Sequence, residues 1–344
     1  MDLSQAFAIY LPLIEAEMRA VLAIPQDVSA GHYQIMQYHM GWLDAEMCPV
    51  AAPTGKRIRP VLCLLACAAA GGNPLTALPA AAGLELLHNF SLLHDDIEDN
   101  SLLRRHRPTA WTVFGMPITC NAGDGMFSLA HTAFFRLEAQ GVPPAAVLQA
   151  LRRFDEMCVA LTEGQFLDMS FENSLGVTSD DYFRMTAGKT GALLAVAPEI
   201  GALVGGAAED VCRLYRRYGA ALGRAFQLQD DILGIWGAEA ATGKSAASDI
   251  LSMKKTLPVI YALAHEAVGA KLAALYVRPN FTESDVPVVL ALLDEAGARP
   301  YVEALVRAAT AEAHAALRAA APSAVSEPHR ILGELLDALV VRSS

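Results

Sequence analysis

Apolar residues, alanine and leucine above all, recur at helical spacing along almost the whole chain, and sustained apolar–polar alternation is hard to find. Such runs extend over Leu3 to Leu22, Arg57 to Ala70, Leu78 to Asn100, Gly123 to Ala139, Pro144 to Glu172, Ser179 to Leu203, Ala208 to Ile235 and Lys255 to Val268. Breakers such as Gly71-Gly72-Asn73-Pro74 and Gly141-Val142-Pro143-Pro144 fall between them. Helix starts look capped at Ser179-Asp180-Asp181 and at Thr282-Glu283-Ser284-Asp285. The pattern predicts an all-α protein of ten or more helices. The segments share no fixed period, which sets aside a helical repeat scaffold. No composition shift marks a linker, so residues 1–344 read as a single domain.

Composition narrows the function. The chain is 53% hydrophobic, yet no run approaches the uninterrupted apolar length of a membrane span. No basic segment precedes an apolar one at the N-terminus, so no signal peptide is expected. A net charge of −11 argues against a nucleic-acid partner. The six cysteines form no CxxC pair, and Cys63 and Cys67 sit a helical turn apart in apolar sequence, as core thiols do. A reduced, cytoplasmic enzyme fits these features.

Two acidic clusters stand out, Asp95-Asp96-Ile97-Glu98-Asp99 and Gln227-Leu228-Gln229-Asp230-Asp231-Ile232-Leu233-Gly234, each embedded in apolar sequence. Carboxylates in such segments cost free energy unless a cation meets them. On a helix Asp95 and Asp99 share a face one turn apart. Paired oxygens on a rigid face suit Mg²⁺, which takes one or two carboxylates, several waters and a substrate phosphate. Two such faces are suited to clamp one diphosphate through bridging ions. An acidic pair on a helix is often only a solvated face. Five apolar residues among the nine before Asp95, and the recurrence at Asp230-Asp231, favour function.

The basic residues fall in an informative order around these clusters. Gly55-Lys56-Arg57-Ile58-Arg59-Pro60 comes first, then Glu85-Leu86-Leu87-His88, the first Asp cluster and Leu103-Arg104-Arg105-His106-Arg107. Gly164-Gln165-Phe166-Leu167-Asp168, Gly188-Lys189-Thr190-Gly191, the second Asp cluster, Thr242-Gly243-Lys244 and Lys254-Lys255 follow. Lys and Arg in this number match a diphosphate through charge-assisted hydrogen bonds. Gly188-Lys189-Thr190 lacks the spacing of a Walker phosphate loop.

From about Gly55 to Pro258 this ordered set resembles the trans-type isoprenyl diphosphate synthases (polyprenyl synthetases). The resemblance implies a single large helical bundle around a central cavity, homodimeric, with three Mg²⁺ ions per active site. It implies head-to-tail condensation of isopentenyl diphosphate with dimethylallyl, geranyl or farnesyl diphosphate. Asp95, Asp99 and Asp230 would bind Mg²⁺, with Asp96, Asp231 and Asp168 supporting through water or hydrogen bonds, and Gln165 beside Asp168 on the cavity wall. Arg104, Lys189, Thr190, Gln227, Lys244 and Lys254 would hold the allylic diphosphate. Gly55, Lys56, Arg59, His88 and Arg105 would form the isopentenyl diphosphate pocket. Asp95, Asp99, Arg104, Lys189, Asp230 and Lys244 are the expected catalytic set.

Departures and chain length sharpen the expectation. Where family members often carry an aspartate at the fifth place of the second cluster, this chain has Gly234, which leaves that wall with fewer oxygens. Thr54 replaces the usual glycine before Gly55, and the tail Val340-Val341-Arg342-Ser343-Ser344 has one basic residue, so closure of a basic tail is not expected. In the resemblance, bulk beneath the first Asp cluster stops chain growth. At ~1.5 Å per residue Phe90 and Ser91 lie roughly 6–8 Å below the metal site and Leu87 about 12 Å below. A lone aromatic beside a serine implies geranylgeranyl diphosphate (C20), with farnesyl (C15) and geranylfarnesyl (C25) diphosphate as alternatives. A class I terpene cyclase would leave Lys56, Arg59 and His88 without purpose. A non-catalytic subunit of a heteromeric synthase would tend to lose the Asp-rich motifs present here.

Overall fold

The structure is a computed structural model, and it describes residues 1–26, 28–172, 174–237, 247–278, 280–321 and 326–340. Nearly all regular structure is helical. The first half carries α1 (Leu3–Val21), α2 (Ala30–His39), α3 (Ile58–Ala69), α4 (Leu78–Glu98), a hairpin of β1 (Leu103–Arg104) and β2 (Arg107–Pro108), α5 (Ala110–Phe114) and α6 (Met116–Phe135). Next come α7 (Pro144–Phe171), α8 (Ser179–Thr186), a π-helical turn (Ala187–Gly191), α9 (Ala192–Val204) and α10 (Glu209–Trp236). The last third carries α11 (Ser248–Leu251), α12 (Leu257–Leu263), α13 (Gly269–Tyr276), α14 (Val286–Glu295), α15 (Ala298–Ala320) and α16 (Glu327–Val340).

The chain divides into two compact units. The first comprises Met1–Arg153, Ala197–Cys212 and Ser326–Ile331, the second Phe154–Val196, Arg213–Val325 and Leu332–Ser344. In the first unit α4 is the central element, packed by α6, α3 and α1. Pro79 through Leu87 are buried on every side, so α4 has no solvent face until His88. Burial of a leucine such as Leu84, Leu86 or Leu87 stabilises by about 1.5–3 kcal/mol each. The residues that follow on α4 thereby inherit a fixed position. α1 starts with a capping box between Asp2 and Gln5, and buries Ala6, Tyr10, Ile14 and Met18 at four-residue intervals. In the second unit Leu228 and Ile232 of α10 pack with Tyr182, Met185, Leu257 and Val302. A second core joins Ile235 to Ile250, Val259 and Leu293.

Several boundaries differ from the periodicity. α6 begins at Met116 rather than Gly123, with Pro117 in its first turn. The run from Ser179 is interrupted at Ala187–Gly191, where the helix widens into a π turn. The run from Lys255 is helical only over Leu257–Leu263. Thr178, not Ser179, caps α8, through a box with Asp181. One stretch, Ser179–Val204, is long and apolar enough to span a membrane, against the expectation that none is. An 18-residue apolar window of it is 67% buried within the protein, and it carries Lys189 at its π turn, which marks it as a core helix.

Candidate active site

In the first unit, the end of α4 presents Asp95 half-buried and Asp99 exposed, the Asp99 amide donating to the Asp95 carbonyl at 2.8 Å. Three carboxylates, Asp95, Glu98 and Asp99, thus gather at the negative end of the helix dipole, which disfavours them unless a cation is at hand. Asp96 is buried instead. It is 2% exposed and accepts from Arg104 Nε at 2.8 Å, while Arg104 Nη2 also donates to Asp95 at 3.1 Å. Burial pushes the Asp96 carboxyl up to about 6 despite the opposing Arg104 charge. Asp96 Oδ2 has no hydrogen-bond partner. A hard-oxygen donor set with Arg104 already bridging two of its members fits a divalent cation and an anion together.

Arg104 and Arg105 are delivered by the β1–β2 hairpin. Its two-residue tip, Arg105-His106, takes positive φ at both positions (52° and 63°), a conformation normally given to Asn-Gly. The base is held firmly: Trp111 Nε1 and the Thr109 hydroxyl both donate to the Ser101 carbonyl, at 2.9 and 2.8 Å. Arg107 donates to the Leu43 carbonyl at 2.8 Å and stacks on Tyr38 at 4.5 Å. Arg57, at the start of α3, is buried and donates to Glu85 Oε1 at 2.9 Å; Asn89 donates to the same oxygen at 3.1 Å. Arg59 is half-buried with Nε unpartnered, and Gly55 lies against the Arg105 guanidinium. Lys56 reaches solvent. Burial and the charges of Arg59, Arg105, Arg104 and Arg57 hold His88 well below its usual value, as a neutral imidazole. Burial and four arginines lower His39 to about 3. This concentration of guanidinium groups, with Glu85 and Asp96 as buried counterions, has the charge to hold an anion.

In the second unit the π turn is the organising feature. A Cβ on Gly164 of α7 would lie 2.1 Å from the Lys189 amide nitrogen, and one on Gly188 would lie 2.6 Å from the Ala160 carbonyl. The two glycines let the turn nest on α7. One turn beyond Gly164, Asp168 then meets Lys189, Oδ2 to Nζ at 2.5 Å. Thr190 donates to Gln227 Oε1 at 2.9 Å, and Gln227 Nε2 donates to Asp231 Oδ1 at 3.0 Å. Asp231 is buried and also accepts from the Tyr182 hydroxyl at 2.6 Å and the Leu257 amide at 3.0 Å. Burial raises its carboxyl to about 6, against those hydrogen bonds and Lys254. With both oxygens engaged, Asp231 anchors α8, α10 and α12 while Asp230, beside it, faces solvent. Lys254 loses some proton affinity to burial but gains more from Asp231, Asp249, Asp168 and Asp230, for a net rise. Gln165 is half-buried.

The expected site residues divide between the two units: Asp95, Asp96, Asp99, Gly55, Lys56, Arg59, His88, Arg104 and Arg105 fall in one, Asp168, Lys189, Thr190, Gln227, Asp230, Asp231 and Lys254 in the other. Lys244, and the tail beyond Val340, lie outside the described residues. Of the chain-length residues, Phe90 packs against Phe127 of α6 with the rings tilted at 57° and centroids 5.0 Å apart, Ser91 donates to the His88 carbonyl at 2.8 Å, and Leu87 is fully buried. Sequence reasoning missed Tyr182, His39 and the Arg57–Glu85–Asn89 group. Only Glu85 left a signal, as a lone carboxylate in an apolar run that must have a buried partner.

The sequence model of the polyprenyl synthetase family matches residues 41–293. A (2E,6E)-farnesyl diphosphate synthase of Mycobacterium bovis is 41% identical over 278 residues, 79% of this chain and 76% of that protein. A geranylgeranyl diphosphate synthase of Mycobacterium tuberculosis is 40% identical over 296 residues, 86% of this chain and 82% of its own. A polyprenyl synthetase crystal structure from Streptomyces coelicolor superposes with a TM-score of 0.89 at 35% identity, covering 99% of this chain and 100% of that one. The near-equal identities to synthases named for C15 and C20 products leave product length to the site itself. The family uses Mg²⁺ and isoprenyl diphosphates, and the chain belongs to it: this is a polyprenyl synthetase, a trans-prenyltransferase with the family's helical-bundle fold.

Proposed function

We propose that the chain condenses isopentenyl diphosphate head-to-tail with an allylic diphosphate and ends at geranylgeranyl diphosphate. The observation that carries the two-substrate reading is the arginine group of the first unit. Arg59, Arg105 and neutral His88 form an anion site apart from the carboxylate face of α4, and a cyclase has no use for it. Asp95, Asp99 and Asp230 would hold Mg²⁺, three ions in all, and Asp96, Asp231 and Asp168 would set their surroundings through hydrogen bonds. When bound, Mg²⁺ stabilises negative charge on the departing diphosphate.

The chain's own residues then do the rest. Lys189, Thr190, Gln227, Lys254 and Arg104 bind the allylic diphosphate, with Lys244 from outside the described residues. Gly55, Lys56, Arg59, His88 and Arg105 bind isopentenyl diphosphate. His88, kept neutral, donates a hydrogen bond without adding charge. Apolar helix walls exclude water from the allylic cation, which would otherwise be quenched. The Phe90–Phe127 pair supports the C20 limit, as a partial barrier on the face of α4 toward α6.

Residues 1–344 act as one synthase domain in this reading, since the family match takes in parts of both compact units. A cytoplasmic homodimer is the proposed state; exposed Leu103 and Ile118 (64% and 56%) offer apolar surface to a second copy. The test is a product assay with isopentenyl diphosphate plus dimethylallyl, geranyl or farnesyl diphosphate, with and without Mg²⁺. A Mg²⁺-dependent ladder ending at C20 is expected. Hydrocarbons formed without isopentenyl diphosphate would indicate cyclisation instead, and an inert protein a non-catalytic subunit.

A further inference from the structure

Gly234 falls one helical turn after Asp230, on the same face of α10. That place is not bare of carboxylate. A Cβ built on Gly234 would lie 2.1 Å from Asp249 Oδ2, 2.5 Å from its Cγ and 3.0 Å from Oδ1. In an aspartate the carboxyl carbon stands about 1.5 Å from Cβ. The Asp249 carboxylate therefore fills the volume that a side chain at position 234 would occupy. Even an alanine would collide with it.

The approach is built into the local fold. Ala247, at positive φ (58°), turns the chain into α11, and Ile250 of α11 is fully buried in the same core as Ile235, next to Gly234. That core holds α11 against α10. Met253, also at positive φ (55°), bends the chain back so that the Lys254 amide donates to the Asp249 carbonyl at 2.9 Å. Asp249, Asp230, Asp231 and Asp168 then all act on the Lys254 ammonium. An acidic side chain supplied from α11 keeps the negative charge of this face at the value an aspartate at 234 would give.

We propose that Asp249 supplies from α11 the carboxylate that the second Asp-rich motif lacks at Gly234, completing the Mg²⁺-binding face headed by Asp230. This rests on the reading of Asp230 as a Mg²⁺ ligand. Gly234 is then a consequence of the arrangement, the residue that makes room, and the wall has not lost an oxygen donor.

The test measures Mn²⁺ binding by electron paramagnetic resonance in the presence of inorganic diphosphate, with no turnover required. Asp249→Asn, which keeps the shape, should weaken Mn²⁺ binding by about tenfold or more, the range seen when residues supporting a metal site are removed. Gly234→Asp alone should also weaken it, by forcing Asp249 aside. The double variant Gly234→Asp with Asp249→Gly moves the carboxylate back to α10 and should restore binding to within about threefold. Circular dichroism without metal checks that each variant is folded, and the rescue by the double variant does not depend on the fold of either single one. Asp230→Asn separates the two layers. If it weakens Mn²⁺ binding while Asp249→Asn leaves it at the wild-type value, the role of Asp249 is overturned and that of Asp230 stands. If neither variant changes binding, both fall.

Discussion

Gly164→Ala adds one methyl group to α7, and its effect can be followed from a single distance. The added carbon would stand 2.1 Å from the Lys189 amide nitrogen, where non-bonded atoms ordinarily keep about 3.5 Å. The π turn must therefore open by about 1.4 Å, because backbone atoms line both sides of the contact. Overpacking of this kind costs about 1–3 kcal/mol. At about 2.1 cal/mol/K per residue, the 344 residues give an unfolding entropy near 0.7 kcal/mol/K, so the melting temperature should fall by about 1.5–4 °C. The same opening draws Lys189 away from Asp168, now 2.5 Å from it. Misplacement of a binding group by about an ångström costs up to about a hundredfold in rate. Calorimetry and steady-state kinetics should show a lower melting temperature, a kcat/KM for the allylic substrate reduced by about ten- to a hundredfold, and an isopentenyl diphosphate KM close to wild type. Gly176→Ala is the control, since only Ser174 Oγ lies near, at 3.8 Å. If Gly164→Ala matches the control in both measurements, the π turn is not held by this contact and the reasoning is refuted.

Glu85→Gln should leave the buried Arg57 guanidinium short of a counterion and cost about 3 kcal/mol in urea unfolding, the low end of the usual range, because Glu15 remains at 3.6 Å; a loss below about 1 kcal/mol would mean the charge is not buried as described. His39 has a folded value of about 3 against 6.5 unperturbed, so between those values the unfolded chain binds more protons, and stability falls as pH drops. His39→Asn should flatten that decline by at most about 1.4 kcal/mol per pH unit below pH 6.5, and unchanged curves from pH 7 to 4 would count against a neutral His39. Phe90→Ala should lengthen the product by one or more five-carbon units; an unchanged distribution by mass spectrometry would remove the Phe90–Phe127 pair from the chain-length barrier. Lys56→Ala should raise the KM for isopentenyl diphosphate far more than that for the allylic partner, and equal effects would argue against separate pockets.

What the sequence made legible follows from how local each determinant is. α1, α4, α7 and α10 carry strong apolar periodicity and lie within two residues of their expected ends. α2 was invisible, because Gly31, His32, Gln34 and Gln37 leave no apolar stripe to read. The π turn was invisible for a different reason: it depends on Gly164, more than twenty residues away, and not on the Ala187–Gly191 segment alone. The Asp-rich and basic motifs marked the carboxylate faces and most of the cationic residues, since charge in apolar sequence stands out. Arg57 gave no sign of its own role within the run Gly55 to Pro60, because its partner Glu85 sits on another helix. Asp249 stood in view but had no reason to be chosen until the empty side of Gly234 gave it one.

The hairpin tip has a meaning for anyone wishing to make this protein sturdier. Arg105 and His106 hold left-handed backbone that asparagine and glycine adopt readily, at a strain of about 1–3 kcal/mol for each residue. A search for thermostable variants would be drawn to an Asn-Gly replacement at this turn, and the turn would indeed relax. The same exchange removes the Arg105 guanidinium from the anion site. At this hairpin, on the proposed function, one substitution would both improve the scaffold and disarm the enzyme.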